Sequence, residues 1–113
     1  MPTVDQHFSN RAPAVRDIYN RLLAMVSGVG SVRVEPKKTS IHLCRRTAFA
    51  GIATRKDALI LTLKSATDIR SRRIYKREQV STNRWHLELK LQDAKEVDAE
   101  LQEWVERAID ISQ

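Results

Sequence analysis

The chain is poor in the residues that staple or punctuate small proteins. It has one cysteine, so no internal disulfide can form, and a structural zinc site would draw mainly on histidine or carboxylate ligands. Glycine and proline number only three each, and no internal repeat, low-complexity tract or linker breaks the sequence. No apolar stretch approaches the roughly 20 residues of a membrane span, which argues against a membrane partner. The first 15 residues hold no apolar run, so no secretory leader is expected, and the expected setting is reducing and cytoplasmic. There is no nucleophile elbow, glycine-rich phosphate loop or paired-carboxylate motif. No catalytic residue, cofactor or metal is therefore assigned, and the balance leans away from an enzyme.

What is present is an ordinary globular composition. Hydrophobic residues make up 42% and charged residues 30% of 113 residues. That is enough for one domain, burying roughly two thirds of its unfolded surface. Residues 1–12 begin with MPTVDQHFSN, which has no period and reads as a tail; residues 13–113 read as the domain. Pro13 suits a first helical turn, and Val15, Ile18, Tyr19, Leu22 and Val26 follow at helical spacing. Gly28 and Gly30 supply the stop, so a helix is predicted over 13–27. Val32 and Val34 alternate with charges, and Pro36 ends that short strand or marks an edge. Strands are predicted over 40–46, 47–53, 58–64 and 74–80. The one at 47–53, TAFAGIA, is so rich in small residues that it suggests close approach by another element or a ligand. Residues 65–73 read as a loop. Trp85, Leu87, Leu89 and Leu91 alternate strictly with Arg84, His86, Glu88 and Lys90, the pattern of a half-buried strand. Asp93 and Glu96 resemble a capping box, opening a helix with Val97, Leu101, Trp104, Val105 and Ala108 on its apolar stripe. Short turns between strands imply antiparallel pairing. The predicted architecture is an α+β two-layer sandwich in one domain: N-terminal helix, antiparallel sheet of about five strands, C-terminal helix.

The net charge of +6 conceals two opposed regions. Residues 32–90 hold 15 Lys+Arg and 5 Asp+Glu, whereas residues 93–113 hold 2 and 7. The densest basic run is Arg70, Arg72, Arg73, Lys76 and Arg77, with Tyr75 inside it as a residue able to stack on a base. A second group comprises Lys37, Lys38, Arg45, Arg46, Arg55 and Lys56. The first expectation is a binding module whose basic sheet face meets an anionic partner, nucleic acid included, mostly through phosphate. The competing account is a solvated face partly neutralised by the acidic helix of the same or a neighbouring molecule. Another alternative is a protein-interaction or dimerisation domain in which basic sheet meets acidic helix across a homodimer. A further alternative is an anion pocket for a small molecule between strand 47–53 and the PKKTSIHL segment, where Lys37, Lys38, Thr39 and His42 would hold the anion. Convergence of Lys38, His42 and Arg46 would mark that pocket. His42, Cys44 and His86 share strand parity and invite comparison with a metal site, but a surface histidine beside a small buried thiol is the commoner outcome. Arg45 and Arg46 beside Cys44 raise the prospect of a lowered thiol pKa. Trp85 and Trp104 belong to the core by parity and stripe. Phe49 is either core or the end of a shallow pocket.

The stretches EPKKTSIHLCRRTAFAGIATRKDALILTLK and REQVSTNRWHLELKLQDAKEVDAELQEWVERA resemble a family of small bacterial domains of unknown function. Some of its members are labelled "predicted transport protein". The resemblance spans about residues 13–111 and rests on the PKKTSIHL, RTAFAG and VSTNRWH segments. A weaker, fold-level similarity runs to the MmcQ/YjbR-like domains. It rests on an aromatic-bearing strand and on Val97-Asp98-Ala99-Glu100-Leu101, which fits a D-x-E-L feature. That second resemblance implies a double-wing DNA-binding architecture.

Overall fold

The computed structural model describes residues 1–112. Six strands form one antiparallel sheet: β1 (Arg33–Pro36), β2 (Ile41–Cys44), β3 (Ala48–Thr54), β4 (Leu59–Ser65), β5 (Lys76–Ser81) and β6 (Arg84–Leu91). Their order is β1-β2-β3-β4-β6-β5. Tight turns join β1 through β4. Residues 66–75 then carry the chain past the place of β6 to the far edge, and β5 turns back into β6. About five strands were expected. The sixth arises because Arg33–Pro36, short as it is, pairs along its whole length with β2. Pro36 sits at the end of this edge strand, where its missing donor costs no ladder bond.

The longest helix, α2 (Pro13–Ser27), buries the stripe Val15, Ile18, Tyr19, Leu22 and Val26, as the spacing predicts. Its end differs in detail from expectation. Gly28 keeps right-handed geometry, with φ −72°. The tight approach falls at Gly30, where an added Cβ would strike the Arg45 guanidinium. The last helix, α3 (Ala99–Asp110), starts later than the sequence suggests. Asp93 and Glu96 do form a reciprocal capping box, but it holds only a 3-10 turn, Ala94–Glu96. Val97 leaves helical geometry to enter the core, and Asp98 caps α3 by accepting the Leu101 N–H at 3.0 Å.

Both long helices lie on one side of the sheet, α3 against β3 and β4, and α2 against α3 and β4. The alternation of β6 therefore buries Leu87, Leu89 and Leu91 under them and turns His86 and Lys90 outward. A bulge opposite Leu43 and Cys44 gives β3 one extra residue, Phe49, which is fully buried in the core. Trp104 is buried and Trp85 packs partly against the same core.

The segment read as a tail is built in. Thr3 and Gln6 cap a one-turn helix, α1 (Val4–His7). Val4 and Phe8 pack on the core, and the Phe8 ring lies 4.9 Å from that of Tyr19. Period arguments miss it because a single turn is too short to show a period. Residue 113, the end of the predicted domain range, lies outside the described residues.

Candidate functional site

The sheet face away from the helices carries no covering element among the described residues. Pairing lays His42, Gly51, Thr62, Glu88 and Lys76 in one row across it. The adjacent row brings Lys64 opposite His86, and His86 opposite Glu78. Over β3 the small residues leave a groove of about 340 Å³, with Ser40, His42, Thr62, Lys64 and His86 around it. Lys64 leans toward Thr47, its Nζ 3.5 Å from Oγ1, and makes no ion pair among the described residues. Gly51 lies on the floor of this groove, and an added Cβ there would meet nothing within 4 Å.

The cations expected at a site separate into three places. The Lys37–Lys38 turn and the Arg55–Lys56 turn lie at one end of the sheet, because β1–β2 and β3–β4 are hairpins closing on the same side. The N-terminal segment joins these turns. His7 Nε2 lies 2.7 Å from the Lys37 carbonyl. Thr54 donates its hydroxyl to the His7 carbonyl. Arg11 Nε donates to Thr54 Oγ1 at 3.0 Å, and the Ala12 N–H donates to the Lys56 carbonyl at 2.8 Å. Arg11 is thereby added to a basic end that already holds four cations. Lys37 pairs with Glu35 at 3.4 Å, whereas Lys38, Arg55, Lys56 and Arg11 make no ion pair among the described residues.

Arg45 and Arg46 sit at the opposite end, in the β2–β3 turn. Thr47 fastens that turn by donating its N–H and hydroxyl to the Ser112 carbonyl, both at 3.1 Å. Lys38, His42 and Arg46 therefore do not converge: Lys38 and Arg46 lie at opposite ends of the sheet, and His42 looks into the groove between them.

The 70–77 run occupies the third place. Asp68 takes Arg70 at 3.0 Å and Arg77 at 2.8 Å. Arg73, only 24% exposed, reaches Asp98 at 2.9 Å, Glu100 at 3.0 Å and the Glu96 carbonyl at 2.6 Å. Its guanidinium also lies 5.6 Å from the Trp104 ring centroid. Burial works against the Arg73 charge, but Asp98 and Glu100 outweigh it and strengthen its hold on the proton. The Leu101 N–H, then Arg73, hold Asp98 below the usual carboxylate range. Arg72 and Lys76 make no ion pair among the described residues. Tyr75 is 63% exposed beside them.

The prospect of an activated Cys44 is not met. Burial pushes the thiol up, Glu35 adds to this, and Arg33 only partly opposes it. His42 and Cys44 share a strand, but His86 lies three strands away. Among the described residues no three His, Cys, Asp or Glu side chains gather as a metal site.

The chain matches the family described as a domain of unknown function, DUF5655, over residues 4–112. It belongs to that family. The match takes in the docked α1 as well as the sheet and both long helices, so this DUF5655 domain includes the segment that joins the two basic turns. No curated protein and no solved structure matches the chain. No helix of this DUF5655 domain, among the described residues, is long and apolar enough to cross a membrane.

Sequence reasoning misses two residues of these sites. Arg11 falls in the supposed tail. Lys64 is hidden in strand 58–64, although it shares the parity of Thr62 and opposes that of Leu61 and Leu63.

Proposed function

We propose that this DUF5655 domain is a non-enzymatic binding module that takes a phosphate-bearing polyanion, nucleic-acid backbone, at the basic end of its sheet. The observation that carries the reading is the joining of two turns by the N-terminal segment. The hairpins put Lys37, Lys38, Arg55 and Lys56 at one end, the segment ties the turns and adds Arg11, and four of the five make no ion pair among the described residues. Acids lie at that end as well: Glu35 pairs with Lys37 at 3.4 Å, and Asp5 of the docked segment pairs with Arg16 at 2.9 Å. Asp57 lies in the Arg55–Lys56 turn, and Asp93 is engaged by the Lys95 N–H at 2.8 Å. The cations on flexible stems at turn tips suit phosphate, which needs charge and reach rather than fixed geometry. Such contacts give affinity and position without choosing a sequence. The predicted Arg70–Arg77 run is a poorer candidate, because Arg70, Arg73 and Arg77 are already engaged within the chain.

Anisotropy of a labelled DNA duplex, titrated across a salt series, tests this. Four or five phosphate contacts give a slope of log affinity on log salt of about −4. A slope near zero, or no binding at low salt, rules the reading out.

A further inference from the structure

We infer that the open face of the sheet is a second binding site, for a small planar organic anion lying over β3 with its charged group at Lys64. Three observations carry this independently of the polyanion reading. The first is volume: about 340 Å³ falls within the range of small-molecule sites.

The second is charge. The groove is bordered by Lys64, His42 and His86, with the Ser40 and Thr62 hydroxyls, and no acid lines it. Three acids stand in the same rows outside the lining. Glu78 faces His86 from the edge strand β5 and makes no ion pair with Lys64 among the described residues. Glu35, opposite His42, is held by Arg33 and Lys37, and Glu88 lies beyond Thr62 between β4 and the edge strand. Lys64 is thus the single fixed charge on the rim, with no carboxylate to neutralise it among the described residues. It complements one negative group.

The third is shape. His42 and His86 stand on β2 and β6, three strand spacings apart, or roughly 14 Å across the sheet, and in adjacent rows along it. Over β3 the floor is backbone and methyl groups, flat enough for a ring system, and Thr62 and Lys64 of β4 close it on the side of His86. Glycine weakens a strand interior, and at Gly51 neither packing nor a left-handed backbone calls for it. Its presence keeps the space above the sheet open.

The probe is 2-naphthoate, with neutral 2-naphthamide as its control. Binding is followed by amide chemical shifts of the full chain. The expected result is shifts confined to residues of β2, β3, β4 and β6 around Gly51, with the naphthamide binding about tenfold more weakly. Lys64→Met should weaken naphthoate by about the same factor and leave naphthamide unchanged. Gly51→Leu should abolish binding of both while the chain keeps its thermal midpoint, since its Cβ has open space to enter. Equal binding of acid and amide, shifts scattered over the surface, or full binding in Gly51→Leu would overturn the proposal. So would a wild-type dimer that Gly51→Leu converts to monomer in sedimentation, because the occupant would then be a second copy. If Gly51→Leu fails to fold, Lys64→Met with the acid–amide pair decides alone.

Discussion

Two basic groups in this chain look alike as letters and differ in what surrounds them. The 70–77 run is the denser, yet three of its arginines are held by Asp68, Asp98 and Glu100. The Lys37–Lys38 and Arg55–Lys56 turns are sparser, and most of their charge is unpaired among the described residues. The loop of residues 66–75 crosses from β4 to the edge strand without secondary structure of its own, so it must be held by side chains. Arg73 anchors it to the cap of α3. The hairpin turns need no such anchor, because the ladders on either side hold them. Charge density along a chain is thus a poor guide to charge available to a partner. What counts is whether the backbone carrying the charge is already secured.

The comparison can be broken most sharply at the turns. Lys38→Glu, Arg55→Glu and Lys56→Glu together should cut duplex affinity by about 100-fold near 0.1 M salt, with an unchanged circular dichroism spectrum. Unchanged affinity would return the polyanion to the 70–77 run. The mirror experiment is Arg73→Ala. It should leave the salt slope alone and lower folding stability by about 2 kcal/mol, read from a denaturant midpoint, because several charge-assisted bonds are lost together. A fall in duplex affinity without a fall in stability would reverse the roles of the two groups.

Acid titration sharpens the same contrast. The folded-state pKa of Asp98 is depressed, so its contribution is present above the unfolded value and lost as pH falls through the folded one. Asp98→Asn keeps a good helix cap but gives up the charge. Between about pH 5 and pH 2 it should lose less stability than the parent chain, by under about 1 kcal/mol since the carboxylate is half exposed. Parallel stability curves would show that Arg73 holds the cap without its charge partner. The smallest effect is expected at Arg72. Arg72→Ala should change stability by no more than about 0.5 kcal/mol, since no ion pair among the described residues involves it.

Much of this fold could be read from residue order. The α2 stripe, the β6 alternation and the Pro36 edge are local patterns, and each reports directly on burial. The start of α3 could not be read so easily. Asp93 and Asp98 are both competent caps, and only the docking of Val97 into the core decides which one opens the long helix. The site was legible in part. TAFAGIA signalled an open strand surface, and the groove lies over it. The pairing state of each cation was not legible, because Arg73 meets its acids across 25 residues and Arg11 meets Thr54 across 43. No spacing rule reaches that far.

The docked N-terminal segment also bears on the order in which the molecule assembles. His7 meets Lys37 across 30 residues, and Arg11 meets Thr54 across 43, so these contacts require long loops to close. Helix α2 and the β1–β4 hairpins rest on nearer neighbours and should condense first. The two basic turns, already at one end of the sheet, are then tied together late in folding, when the first dozen residues settle against them. A chain caught before that step would have both turns on the sheet but would lack Arg11 beside them. Tight capture of a polyanion would thus be reserved for molecules that have finished folding.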